Sequence, residues 1–289
     1  MTSKSPRTTS KTHFSPSPRR KASHDLRRFT HRSQSHTAAH PPFGGFNFTF
    51  LALEIRRILR NRRTLIFTIV MPVAFLLLFA LPNKDQPLGN TGYSYAAYVM
   101  ISFAVYGAML AATSGGGMVA VERAQGWSRQ LRLTPLRPAA YITIKMLSAM
   151  FLGLIAVVAV FVVGAIMGIT MPWQVWILSG LVAWVGSMVF ATLGLFVGYL
   201  VPSENVMQIL GPLLAFLALF GGLFVPLEVL PQVLQDIAKF TPAYGVGAIA
   251  RTPLLGNGFD WWALVNVLAW GIIFGLLAAR MFRRDTKRV

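Results

Sequence analysis

The sequence predicts an all-α membrane protein of six transmembrane helices, with an amphipathic helix ahead of the first span and two short apolar helices before the last. Three observations predict it. The 289 residues are 54% hydrophobic and only 12% charged, where about 25% charged is usual for a soluble domain. Long uncharged stretches have the roughly 20 residues a helix needs to cross about 30 Å of hydrocarbon at 1.5 Å per residue. The 27 Lys and Arg against 9 Asp and Glu give a net charge of +18, and they gather in clusters whose alternation fits an even number of crossings. With no cysteine in the chain, disulfides, zinc–thiolate sites and thiol nucleophiles are excluded together.

Residues 1–42 read as a disordered basic tail. They hold nine Lys or Arg, a single acid (Asp25) and all five histidines, about +8 in all, with almost no large apolar side chains to offset the entropy of ordering. No apolar core of a signal peptide precedes Phe46. His13, His24, His31, His36 and His40 lack metal-ligand spacing and acidic companions, so no metal site is expected. Such a tail is drawn to anionic lipid head groups by about 1 kcal/mol per well-placed Lys or Arg. It has neither the aromatic interleaving nor the folded module of a nucleic-acid binder, and no nucleic-acid partner is expected.

The stretch Phe46 to Arg63 places Leu51, Ile55, Ile58 and Leu59 on one helical face with Arg56, Arg57 and Arg60 elsewhere, and sets Glu54 three residues before Arg57. This is an amphipathic helix for the membrane interface. The first span follows at about 64–81, with Pro72 tolerated as a kink. The second runs from about 95 to 119, after a turn-rich opening. Met146 to Ser203 carries no charge and is too long for one helix. Gly168, Thr170 and Pro172 divide it into spans at about 140–167 and 174–200. A fifth span is expected at about 206–224 and a sixth at 261–279, ending at Arg280. GxxxG spacings at Gly164/Gly168, Gly194/Gly198 and Gly271/Gly275 suit close helix crossings.

Orientation follows from the basic clusters. Arg56, Arg57, Arg60, Arg62 and Arg63 precede the first span. Arg123, Arg129, Arg132 and Arg137 follow the second, with Lys145 just inside the third, able to snorkel to the interface. Arg280, Arg283, Arg284, Lys287 and Arg288 follow the sixth. The alternate loops hold only Lys84, Lys239 and Arg251, against Asp85, Glu228, Asp236 and Asp260. Both termini are therefore expected in the cytoplasm of a multi-pass protein. The outer loop Val225 to Asp260 is too apolar for a solvated connection, and two short helices dipping into the outer leaflet fit it.

The sequence has no GxxxxGK[ST] phosphate loop and no intramembrane Asp, Glu or His relay, so energy for transport would have to come from a partner. The long loop Glu122 to Pro138 is the natural place for that partner to dock. Its run Glu122-Arg123, Gly126, Leu131-Arg132, Thr134-Pro135-Leu136 and Pro138, followed by Lys145, resembles the cytoplasmic signature of ABC-2 type exporter permeases of the drug-resistance, daunorubicin-exporter-like kind. Pro226, Leu230-Pro231, Phe240, Pro242, Tyr244, Ala248 and Arg251 resemble the same family's segment before the last span. Ala124 stands where members often carry an acid, and Trp127 is unusual there.

The resemblance makes residues 43–289 one ABC-2 type transmembrane domain. It implies that Phe46 to Arg63 is the connecting helix and that Pro226 to Ala250 forms a re-entrant pair of outer helices. It places Glu122, Arg123, Gly126, Trp127, Arg129, Leu131 and Arg132 on the segment that couples to an ATPase. It also implies two ATPase subunits that bind ATP and Mg, none of it held by this chain, and a second permease subunit, identical or homologous, in a bacterial cell membrane. Tyr98, Phe103, Tyr106 and Met109 on the second span and Gln208 and Phe216 on the fifth become candidate path-lining residues. The expected function is export of an amphiphilic drug, antibiotic or lipid. The alternative is a non-transporting scaffold or sensor that recruits partners through its tail. Deleting Met1 to Pro42 separates the two: an exporter should keep most of its transport rate in a vesicle assay, and a scaffold should lose its function.

Overall fold

The computed structural model of the chain describes residues 48–89, 91–126, 138–256 and 258–287. The tail 1–42 and the site candidates Trp127, Arg129, Leu131 and Arg132 lie outside the described residues. Ten α-helices and two single 3-10 turns run through the described residues, with no strand beyond an isolated bridge between Pro87 and Ser94.

Helix α1 (Phe48–Arg60) and α2 (Arg62–Ala80) are separated by Asn61, whose side chain accepts a hydrogen bond from the Thr64 amide and starts α2. In α2 the ring of Pro72 packs on α3 (Tyr95–Gly117) at Gly107, where an added Cβ would sit 3.1 Å from the proline Cγ. Met118 breaks the line of α3, and α4 (Val119–Ala124) continues it. Then come α5 (Pro138–Ile166), α6 (Trp173–Leu200), α7 (Val206–Phe220), α8 (Gln232–Ala238), α9 (Pro242–Leu255) and α10 (Trp261–Lys287).

Among the described residues, five helices are long and apolar enough to cross a membrane: Thr64–Asn83, Tyr95–Ala124, Ala139–Ile166, Trp173–Leu200 and Trp261–Asp285. The fifth expected span is instead a 15-residue apolar helix, about 22 Å long at 1.5 Å per residue. It stops at Gly221 because Gly222 takes φ +71° and turns the chain aside. The last helix runs on past Ala279 through Arg280, Arg283 and Arg284.

Helix α3 is the axis of the bundle, and its apolar core is wholly buried among the other helices. Successive residues of a helix point 100° apart, and three consecutive glycines at its end each meet a different neighbour. An added Cβ on Gly115 would lie 2.8 Å from Ala149 of α5. On Gly116 it would lie 2.5 Å from the Ala191 carbonyl oxygen of α6, and on Gly117 3.1 Å from Leu210 and Val206 of α7. The expected crossing at Gly194/Gly198 is present, because both residues back directly onto α3 at Thr113 and Gly117. Gly271 and Gly275 meet no backbone within 4 Å.

Candidate functional site

The first two basic segments and the third meet at one end of the bundle. There α1 presents its buried face, Leu51, Glu54, Ile55 and Ile58, of which the acid Glu54 is the most deeply buried. Glu54 is buried because Lys145 of α5 reaches it at 2.5 Å. The same ammonium pairs with Glu122 of α4, so Lys145 does not snorkel outward: it lies 3% exposed between two carboxylates. Arg57 Nη1 donates to Glu122 Oε1 at 2.6 Å, and the Tyr141 hydroxyl donates to Oε2. Two acids and two bases close the cluster at zero formal charge. Burial works against the Arg57 charge, but Glu122 and Glu54 outweigh it, and the guanidinium pKa stands above its ordinary value.

Arg123, the next residue, points the other way. Its Nη1 donates to the carbonyls of Gly198 and Tyr199, each at 3.1 Å, and its Nη2 donates to Asp285 of α10 at 2.7 Å. Those carbonyls are among the last four of α6, which have no partner within the helix, and a cation is favoured at that negative end. Helix α4 is therefore gripped on both sides, by α1 and α5 through Glu122 and by α6 and α10 through Arg123. Gly126 follows at φ +75°. Beside it opens a cleft of about 680 Å³ lined by Arg123, Gln125, Gly126, Ser203, Glu204 and Asp285.

The path candidates fall in two places. Gln208 and Phe216 are exposed on α7, Phe216 stacked with Phe220 at 6.2 Å. Tyr98, Phe103, Tyr106 and Met109 are buried inside the chain. Phe103 and Tyr106 belong to an aromatic cluster with Phe75 and Phe79 of α2 and with Phe224, whose ring centroid is 4.9 Å from that of Tyr106 and 5.8 Å from that of Phe103. At the same far end Tyr244 donates to Asp260 at 3.0 Å, and burial together with that bond pushes its phenol up to about 12.

A family model described as ABC-2 type transporter matches residues 47–253, from the start of α1 into α9. The chain belongs to the ABC-2 type transporter family. A Bacillus subtilis (strain 168) protein named "Putative transport permease YvfS" is 30% identical over 234 residues, covering 80% of this chain and 95% of that relative. This ABC-2 permease is thus a multi-pass membrane subunit of a transporter, and the α4 cluster sits within the matched region. Two of its members carry no signal in the sequence: Tyr141, whose partner is 19 residues away, and Asp285, 162 residues from Arg123. From sequence, Glu54 reads as one half of a local helix pair and Lys145 as an interface residue within the family-like run; that the two meet does not, since a contact across 91 residues leaves no local periodicity. The one local signal for α3 as the hub is the run Gly115-Gly116-Gly117 at the end of an apolar helix.

Proposed function

We propose that this permease exports an amphiphilic compound, a drug, antibiotic or lipid, with energy from two copies of an ATPase subunit that bind ATP and Mg, and that it works beside a second permease subunit. The observation that carries this reading is the double grip on α4, directly ahead of the 127–137 segment. A force that reaches α4 from that segment is passed to α1 and α5 through Glu122 and to α6 and α10 through Arg123. Closure of the ATPase pair would push the coupling segment, with Trp127, Arg129, Leu131 and Arg132 at the contact, and shift the helices between two packings. The basic end faces the cytoplasm of a bacterial cell membrane, so that both termini lie inside. Helix α7 completes a six-pass layout, with α8 and α9 as the re-entrant pair. Gln208 and Phe216 then face the path at the junction with the second permease, and Tyr98, Phe103, Tyr106 and Met109 join it when α3 parts from its neighbours. The absence of ionisable groups on the exposed face of α7 between Val206 and Phe220 suits a substrate that partitions from the inner leaflet.

The double substitution Trp127→Ala with Arg132→Ala tests the coupling. In vesicles holding the permease and its ATPase, export should fall to background while nucleotide binding by the ATPase stays at the parent level. Undiminished export in that variant would sink the assignment.

A further inference from the structure

Arg251 is placed by the sequence in an outer loop, yet on α9 it is 4% exposed and lies among α3, α9 and the turn that follows α7. Its Nη1 donates to Ser102 Oγ at 3.1 Å and to the Gly222 carbonyl at 2.8 Å, and its guanidinium carbon stands 4.7 Å from the centre of the Tyr98 ring. Tyr98 and Ser102 are one turn apart on α3 and so share a face. One turn back on α9, Gly247 leaves room: a Cβ there would lie 3.3 Å from Arg251 Nη2 and 2.7 Å from Leu223 Cδ2. Two residues beyond Gly222, Phe224 enters the aromatic cluster of α2 and α3.

The contrast with the basic end is chemical. There, Glu54 and Glu122 hold Lys145 by ion pairs that are costly to separate in a buried place. Arg251 pairs with no carboxylate among the described residues. It is held by a hydroxyl, one carbonyl and a ring face, each a modest and exchangeable contact. Arginine does not lose its charge in proteins, so this is no proton relay. Nη1 meets both acceptors while the guanidinium carbon stands over the ring; a lysine side chain ends one bond sooner, at the place of that carbon, so its ammonium cannot keep the ring and reach both acceptors.

We propose that Arg251 is the releasable latch of the far end: it holds α3, the turn 221–224 and α9 closed, and those contacts must part for substrate to leave. The role in release rests on the export reading above, whereas the closure is read by labelling that needs no substrate. Because the chain has no cysteine, Leu223→Cys places a single thiol beneath α9 at a residue 2% exposed. In full-length protein reconstituted into lipid vesicles, with maleimide on both faces, that thiol should label slowly. Adding Arg251→Lys or Tyr98→Leu should speed labelling about tenfold, the scale of one or two lost hydrogen bonds or ring contacts. Tyr98→Phe, which keeps the ring, should restore slow labelling. A control thiol, Ser148→Cys, buried on α5 at the basic end, should stay slow throughout. Equal acceleration at both thiols, or unchanged labelling at Leu223→Cys, would overturn the latch. If labelling behaves as expected while no export is found, the transport route fails and the latch stands.

Discussion

Lys145→Met should be among the most damaging single substitutions in the chain. It removes the buried ammonium that lies between Glu54 and Glu122 and leaves two buried carboxylates with only the half-exposed Arg57 beside them. Removing one partner of a buried pair costs about 3–5 kcal/mol, because the remaining charge is neither solvated nor matched. Arg57 is too exposed to compensate: its side chain is 45% accessible, and it stands 3.7 Å from Glu54. The expected result is a marked fall in the unfolding midpoint of the detergent-solubilised protein, together with release of α1 from α5, visible as faster proteolysis near Asn61. Adding Glu122→Gln to Lys145→Met should recover part of the loss, since a neutral amide can still accept from Arg57 at its oxygen and donate from its nitrogen to the Tyr141 hydroxyl. A Lys145→Met protein with the parent midpoint would show that the cluster does not hold these helices together.

How much of this could be read in the sequence differs by level. Unbroken apolar length is legible in hydropathy, and the five long apolar helices start within about one residue of the expected positions, while Tyr95–Ala124 and Trp261–Asp285 run past 119 and 279. The charge clusters were also informative: Arg57, Arg123 and Asp285 do meet at one end. The length of α7 was not legible, since its end depends on the φ of Gly222 and not on any change in hydropathy. Glu54 looked like a polar residue beside the apolar face of α1, and Arg251 like a loop charge. Each is buried because a partner far along the chain makes burial tolerable, and a single sequence carries no record of that partner. Of the coupling candidates, Glu122 and Arg123 point inward to α1, α5, α6 and α10, while Trp127, Arg129, Leu131 and Arg132 fall outside the described residues.

Glycines at the crossing of α3 with α6 and glycines on α10 with room beside them should respond in opposite ways. At Gly194 an alanine Cβ would lie 2.9 Å from the Thr113 carbonyl carbon and 3.0 Å from its Cα, and at Gly116 it would lie 2.8 Å from the Leu195 nitrogen. Every one of these contacts is backbone, so no side chain can swing away and α3 must separate from α6. Such overpacking costs about 1–3 kcal/mol for a methyl group, and valine should cost more. The displacement would also draw α4 away from α6, lengthening the bonds from Arg123 to the Gly198 and Tyr199 carbonyls that anchor it. Gly194→Ala and Gly116→Val should therefore lower both the folded yield and the coupling of ATP use to export. Gly275 meets nothing within 4 Å and Gly271 meets only Val189, at 3.7 Å. Alanine at either position should be neutral or stabilise the helix by about 0.5–1 kcal/mol. Measured side by side in detergent, an equal loss from the two sets would mean that Gly116 and Gly194 do not serve the crossing of α3 with α6.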